Sequence, residues 1–198
     1  MDYTFDFRVI AENWGLLLAG LWATFVVSFV ALGIGVVIGT AVGILRLSRN
    51  RVLRGLSWAY IEVLRNTPGL VQIIWVYYCL PILVGVDFGA IASCAIALSL
   101  QSGAYIGEIV RGGIAGVDKG QSEAARTVGL SAMQTMFRVV LPQAFRRMIA
   151  PLVNQVVTLI KYSSLVSVVG VADLTYQAQL LSTTTFRPLE IFSFLALE

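Results

Sequence analysis

Residues 13–45 read NWGLLLAGLWATFVVSFVALGIGVVIGTAVGIL, thirty-three positions between Glu12 and Arg46 without a single charge. A helix rises about 1.5 Å per residue, so about 20 such residues already cross a hydrocarbon core of about 30 Å. A soluble core built from a chain of this length has no use for so long an apolar run. Composition agrees: of 198 residues, 58% are hydrophobic and 13% charged, against about half and about a quarter in soluble domains. These figures also exclude disorder, collagen, a disulfide scaffold and a coiled coil. Histidine is absent, and Cys79 and Cys94 lie inside hydrophobic stretches, which removes His-based catalysis and zinc-finger spacing. The first stretch is too long and too rich in Gly for a cleaved signal peptide, and no small-residue cleavage site stands out. One membrane domain covering residues 1–198 is the reading that fits.

Working outward, further uncharged stretches run from Asn66 to Val86 and from Phe88 to Gly107, and a fourth from Met148 to Ala172 is interrupted only by Lys161. A fifth, apolar stretch opens at Leu189, carries Glu190, and stops with the chain at Glu198. Ten residues rise only about 15 Å as a helix, half the hydrocarbon core, so the natural chain is expected to continue. The expected spans are about 14–45, 56–82, 88–112, 144–169 and 189–198 onward, an all-α membrane protein with its last helix incomplete. Ten of the fourteen Lys and Arg residues fall in two loops, Arg46 to Arg54 and Arg111 to Arg147. Positive loops stay in the cytoplasm, so the N-terminus and the segments around Asp87 and Asp173 face outward. Flanked by such spans, the basic loops are read as membrane topology and not as a nucleic-acid surface. Gly35, Gly39 and Gly43 in the first span, and Gly103 and Gly107 in the third, recur at the four-residue spacing that lets helix backbones approach closely. Such spacing suits either a dimer interface or contact within the bundle, and nothing beyond packing is assigned to it.

The segment from Gly112 to Arg147 is too long for a plain connection. Asp118-x-x-Gln121 has capping-box form and starts a helix that meets Gly129 at its C-terminal cap. Ser131-x-x-Gln134 repeats the pattern. The second helix, with Met133, Met136, Phe137 and Val140 at helical spacing, is expected to end before Pro142. Two short helices joined at a glycine make an elbow over about 118–142 at the inner face. It reads either as an amphipathic segment resting on headgroups or as a docking element, whose small-residue surface of Gly120, Ala124, Ala125 and Gly129 permits close contact.

Glu123-Ala124-Ala125, three residues, Gly129, nine residues, then Val139, one residue, and Leu141-Pro142 resembles the EAA loop of ABC importer membrane subunits, with Val139 where isoleucine is usual. Arg65-Asn66-Thr67-Pro68, Ser102-Gly103-Ala104-Tyr105, Glu108 to Gly113 and Lys161-Tyr162-Ser163-Ser164-Leu165 are similar to the polar amino-acid branch, the histidine, glutamine, glutamate and arginine permeases. The resemblance runs from about Leu16 onward. It implies a five-helix permease core with a cytoplasmic coupling elbow in a bacterial cytoplasmic (inner) membrane. It also implies a second permease as homodimer or heterodimer partner, two cytoplasmic ATP-binding subunits, an external solute-binding protein and a polar amino-acid substrate. On that resemblance Gly120, Glu123, Ala124, Ala125 and Gly129 dock the ATPase, with Glu123 positioning and not catalytic.

Charges inside a bilayer face a bundle interior or a water-filled cavity. Glu62 and Arg65, and again Glu108 and Arg111, are three apart and can neutralise each other. Lys161 has no acid within four positions and needs a partner: Glu62 or Glu108, a backbone carbonyl, or substrate. Thr67-Pro68-Gly69 interrupts the second span, either as a kink or as a broken helix of the kind transporters use for binding. A zwitterion needs acceptors for its ammonium and donors for its carboxylate. Asn66, Thr67, Gln101, Ser102, Gln155 and Ser163 supply both, and with Lys161 they form the expected substrate path. Many members of the family carry an acid where Gln155 stands and an Asp where Tyr162 stands. Their absence weakens the case for a cationic substrate, and Lys161 leans toward an anionic or neutral one.

The chain has no Gly-x4-Gly-Lys-Ser/Thr phosphate loop, so it is not expected to be an enzyme, and ATP with Mg would sit on the partner ATPase, no cofactor on this chain. As the resemblance implies, ATP binding closes the ATPases, the elbows follow, and the bundles rock between inward-open and outward-open. Two rivals use the same residues. An ion-coupled secondary amino-acid transporter would employ Glu62, Glu108 and Lys161, yet the paired repeats usual in such proteins are not found. A membrane scaffold would use the elbow to recruit a partner without transport.

Overall fold

Long runs of Val, Leu, Ile and Ala in a water-free medium leave the backbone no hydrogen-bond partner but itself, and helices result. The computed structural model describes residues 5–196, and every regular element among them is helical. In chain order these are α1 (Arg8–Glu12), α2 (Trp14–Arg46), α3 (Arg51–Asn66), α4 (Gly69–Tyr78), α5 (Leu80–Val84), α6 (Gly89–Ala115), α7 (Lys119–Thr127), α8 (Ala132–Thr135), a π-turn (Met136–Val140), α9 (Leu141–Ser163), a 3-10 stretch (Ser164–Val169), α10 (Leu174–Thr185) and α11 (Pro188–Leu195). Among the described residues, three helices are long and apolar enough to cross a membrane: Trp14–Arg46, Gly89–Ala115 and the continuous run Ala132–Val169. A fourth is added if α3 with α4 and α5 counts as one broken span.

The break falls at the expected place. Asn66 ends α3, Thr67 is extended at φ −92° and ψ 131°, and the helix resumes at Gly69. A residue before proline avoids the helical region, and Pro68 has no N–H to continue the ladder. Two other expectations are corrected. The helix after Ser131 does not stop before Pro142: it passes through a π-turn, in which the Leu141 N–H reaches the Met136 carbonyl, straight into α9. Widening the ladder by one residue lets the helix continue into its proline-containing turn. The polar segment after Asp173, placed outside by the charge distribution and read from sequence as a loop between spans, is instead helix α10. Asp173 caps it through an Oδ1 that accepts the Tyr176 N–H at 2.9 Å, and Leu174, Ala178 and Leu181 form its buried stripe.

The chain forms two compact units. In the first (1–30, 69–97 and 160–198), Leu174, Ala178 and Leu181 pack with Ile10, Leu17 and Ile191. Glu190 is fully buried there, paired with Arg187 at 3.0 Å and accepting the Asp6 N–H at 3.0 Å. Such a carboxylate is tolerable out of water because it is both ion-paired and hydrogen-bonded. The Asp173 carboxyl is 1% exposed, and burial pushes its pKa up from the ordinary carboxylate value against the opposing N–H groups of Tyr176 and Thr175.

The second unit (31–68 and 98–159) is organised by glycines. A β-carbon on Gly39 would stand 2.7 Å from the Gly103 carbonyl oxygen, and one on Gly43 2.6 Å from that of Gly107. One on Gly35 would meet Ser102 Oγ at 2.8 Å. The two glycine series therefore face each other within one chain. Tyr60 ties α3 to the pair by donating from its hydroxyl to the Leu100 carbonyl at 2.7 Å. A second core of Ile106, Val110, Val117, Val140, Ala144 and Met148 continues toward the elbow.

Two outcomes are expected. Gly43→Ala drives a β-carbon into a backbone oxygen and costs about 1–3 kcal/mol. Gly33→Ala, with nothing within 4 Å, gains up to about 1 kcal/mol in helix propensity; thermal unfolding of the purified protein in detergent compares them. Asp173→Asn keeps the cap and removes the buried charge, so at neutral pH it is at least as stable as the wild type. Asp173→Ala falls about 1 kcal/mol below the Asn variant. Because the folded carboxyl titrates above its unfolded value, its contribution is present at low pH and lost as pH rises through the folded pKa. The advantage of Asp173→Asn over the wild type therefore grows from acid to neutral pH.

Candidate functional site

The elbow is built from its caps. The Asp118 side chain accepts the Gly120 N–H at 2.6 Å and opens α7. The expected reciprocal bond from Gln121 does not form; Gln121 Oε1 instead accepts from Gln143 Nε2 at 3.3 Å, tying α7 to the start of α9. At the other end Gly129 stands at φ +86°, its N–H on the Arg126 carbonyl (3.0 Å) and the Leu130 N–H on the Ala125 carbonyl (3.1 Å). This paired arrangement is the Schellman motif, and its left-handed position is where glycine is needed. The Ser131 capping box is complete: Ser131 Oγ accepts the Gln134 N–H at 3.3 Å, and Gln134 Oε1 accepts the Ser131 N–H at 2.9 Å. Gly120, Glu123, Ala124 and Gly129 are exposed, whereas Ala125 is buried. One face of α7 thus holds the elbow together while the other is presented to solvent.

Of the expected path residues, Asn66, Thr67, Gln101, Ser102 and Gln155 lie in the second unit, and Lys161 and Ser163 in the first. Gln101, Ser102 and Gln155 are buried. The Ser102 hydroxyl is buried without a hydrogen-bond partner beside Gly35. Asn66 donates to Glu62 at 3.1 Å, and Thr67 Oγ1 donates to the Val63 carbonyl at 2.7 Å. Ser163 is fully buried and spends its hydroxyl on the Ile160 carbonyl at 2.6 Å. Lys161 is exposed and has no carboxylate within ion-pair distance among the described residues.

The two expected ion pairs fare differently. Glu108 and Arg111 are joined, with Arg111 Nε donating to both carboxylate oxygens at 3.0 and 2.9 Å and Nη2 making a third contact. Glu62 and Arg65 are not: Glu62 takes Asn66, and the Arg65 guanidinium lies 5.4 Å from the centre of the Tyr105 ring. Attraction to the ring face replaces the ion pair. Beside it, within the second unit, is a cavity of about 300 Å³ lined by Arg65, Tyr105, Glu108, Gly112, Arg147 and Pro151 among others. Arg147 also bonds through Nη1 to the Gly116 carbonyl, closing the end of α6. Tyr105 and Arg147 were not among the expected path residues. Helical spacing from Gln101 to Tyr105 and from Gln155 back to Pro151 and Arg147 was the available signal.

Helices of membrane length with polar side chains buried among them place the chain among multi-span integral membrane proteins. Residues 31–197 match the family described as the binding-protein-dependent transport system inner membrane component, and the chain belongs to that family. It is 38% identical to the glutamine transport system permease protein GlnP of Escherichia coli over 193 residues, 97% of this chain and 88% of that protein. It is 38% identical to the nopaline transport system permease protein NocM of Agrobacterium fabrum over 94% of this chain and 81% of that one. A crystal structure of an amino acid ABC transporter with histidines superposes at a TM-score of 0.91, with 36% identity, 98% of this chain and 90% of that chain covered. The protein is thus the membrane permease subunit of an amino-acid ABC importer, in the inner membrane. It is not itself an enzyme, since the ATPase activity of such systems resides in a partner subunit.

Gly129→Val places a β-branched residue at φ +86° and costs the elbow about 1–2 kcal/mol. Faster hydrogen exchange at the amides of 125–130, with unchanged exchange across 98–110, is the expected observation.

Proposed function

We propose that this chain is one of a pair of permeases, identical or related, that moves a polar amino acid from an external binding protein into a bacterial cytoplasm. Five spans with the N-terminus outside, forming a single permease domain, suit the charge distribution, in which ten of fourteen basic residues fall in two loops. Two ATP-binding subunits carrying ATP and Mg dock on the cytoplasmic side, and this chain needs no cofactor. The observation that carries the reading is the elbow, a helix capped at both ends that turns Gly120, Glu123 and Ala124 outward while burying Ala125. A capped, self-supporting helix can carry force from a partner without unfolding. ATP-driven closure of the partners moves the elbows and with them α6 and α9. Alternating access follows at the level of the substrate path.

For substrate, relatives named for glutamine and nopaline transport and a solved structure holding histidines support a polar amino acid. Asn66, Thr67, Gln101, Ser102 and Gln155 offer uncharged donors and acceptors along the path, and Lys161 and Ser163 belong to the proposed set by their residue types alone. Gln101 and Gln155 are the strongest of these in the present state, since both are buried polar side chains on membrane-length helices.

The test is uptake of a labelled amino-acid panel into ATP-loaded proteoliposomes holding the complete complex, with the binding protein outside. The expected result is ATP-dependent uptake of glutamine, glutamate or another polar amino acid. Glu123→Arg is expected to lower it at least tenfold without loss of the folded permease. Uptake that follows an imposed ion gradient without ATP would contradict the reading.

A further inference from the structure

The surroundings of Glu108 hold more positive charge than they neutralise. Arg111 engages both oxygens of that carboxylate. Arg65 and Arg147 line the same cavity, and Arg46 and Arg65 also act on Glu108 through their charge. None of Arg46, Arg65 and Arg147 has a carboxylate within ion-pair distance among the described residues. The Arg46 Nε is in addition buried with no hydrogen-bond partner. Arg65 and Arg147 are exposed, and guanidinium groups gathered around one cavity without a carboxylate favour an anion, their planar forks suiting a carboxylate in particular.

The cavity also stands in line with the expected path. Gln101, Tyr105, Glu108 and Gly112 follow one another at intervals of four, three and four, and Gln155, Pro151 and Arg147 at intervals of four, so each set occupies one helix face. The cavity lies toward the elbow end of both helices, since α6 enters the elbow after Ala115 and α9 leaves it at Leu141. Its volume, about 300 Å³, is at the small end of ligand sites.

We propose that this cavity is a release station on the elbow side of Gln101 and Gln155, where Arg65 and Arg147 take the carboxylate of the transported amino acid. Glu108, oriented by Arg111, accepts its ammonium, and the Tyr105 ring that holds the Arg65 guanidinium forms the floor. The inference rests on the importer reading above. A ligand with two carboxylates and one ammonium matches two guanidiniums and one carboxylate best, so acidic amino acids bind this station more tightly than their amides.

The test is equilibrium binding of labelled glutamate and glutamine to the permease–ATPase complex in lipid nanodiscs, without ATP or binding protein. Glutamate is expected to bind more tightly than glutamine. The Arg65→Gln, Arg147→Gln double variant is expected to weaken both at least tenfold, and Arg147→Lys to weaken them less than Arg147→Gln. Gly112→Leu, whose β-carbon meets nothing within 4 Å, is expected to fill the cavity and block binding while the melting temperature stays unchanged. Glutamine α-amide, which lacks the carboxylate, is expected not to compete. Wild-type binding of neither amino acid, binding unchanged in the double variant and Gly112→Leu, or equal competition by the α-amide would overturn the proposal. Uptake in proteoliposomes is scored separately: absence of ATP-driven uptake by the wild type counts against the importer reading, whereas uptake with unaltered binding in the variants counts against the station alone.

Discussion

The second unit depends on backbone atoms of two helices lying closer than any side chain allows. The Gly103 and Gly107 carbonyl oxygens occupy the space that β-carbons on Gly39 and Gly43 would need. In a bilayer the hydrophobic effect does not drive helices together, so close van der Waals contact has to do so. Much else follows from that contact. With α2 and α6 fixed, Tyr60 can reach the Leu100 carbonyl, and Tyr105 stands where Arg65 can lie over it. The cavity between these residues and Arg147 is thus a consequence of the glycines as much as of the charges around it.

Much of this was legible in the sequence, for identifiable reasons. The stretch 13–45 predicts a helix ending within one residue of Arg46 because length and absence of charge leave no alternative. Thr67-Pro68-Gly69 predicts the break because proline acts locally, whatever surrounds it. Gly129 and the Ser131 capping box were readable for the same reason. Harder were features decided by neighbours distant in sequence. Arg65 has Glu62 one turn away, yet a ring forty positions later wins it. Gln121 was expected to bond its own helix start and instead bonds Gln143. Pro142 read as a stop, because the π-turn that carries the helix through it leaves no sequence mark. Helix α10 was hidden by its polar composition, although Asp173 and the stripe of Leu174, Ala178 and Leu181 were signals for it.

Among the residues proposed for the substrate path, burial and hydrogen bonding separate polar groups left available from those that serve the chain itself. Ser163 serves its own helix, and Ser102 sits against Gly35. Gln101 and Gln155 remain as buried polar groups on membrane helices, where such groups are costly unless used.

In the proposed importer cycle the elbow is where an energy source outside the membrane meets these helices, so the cycle depends on how α7 is oriented. Cross-linking measures that orientation most directly. In a chain whose Cys79 and Cys94 are replaced, Glu123→Cys and Ala125→Cys are compared in the intact complex by thiol cross-linking to the ATP-binding subunit. An adduct is expected from position 123 and none from 125, because the first side chain faces outward and the second is buried in the elbow. Equal adducts from both positions, or free labelling of position 123 by a soluble thiol reagent in the assembled complex, would contradict it.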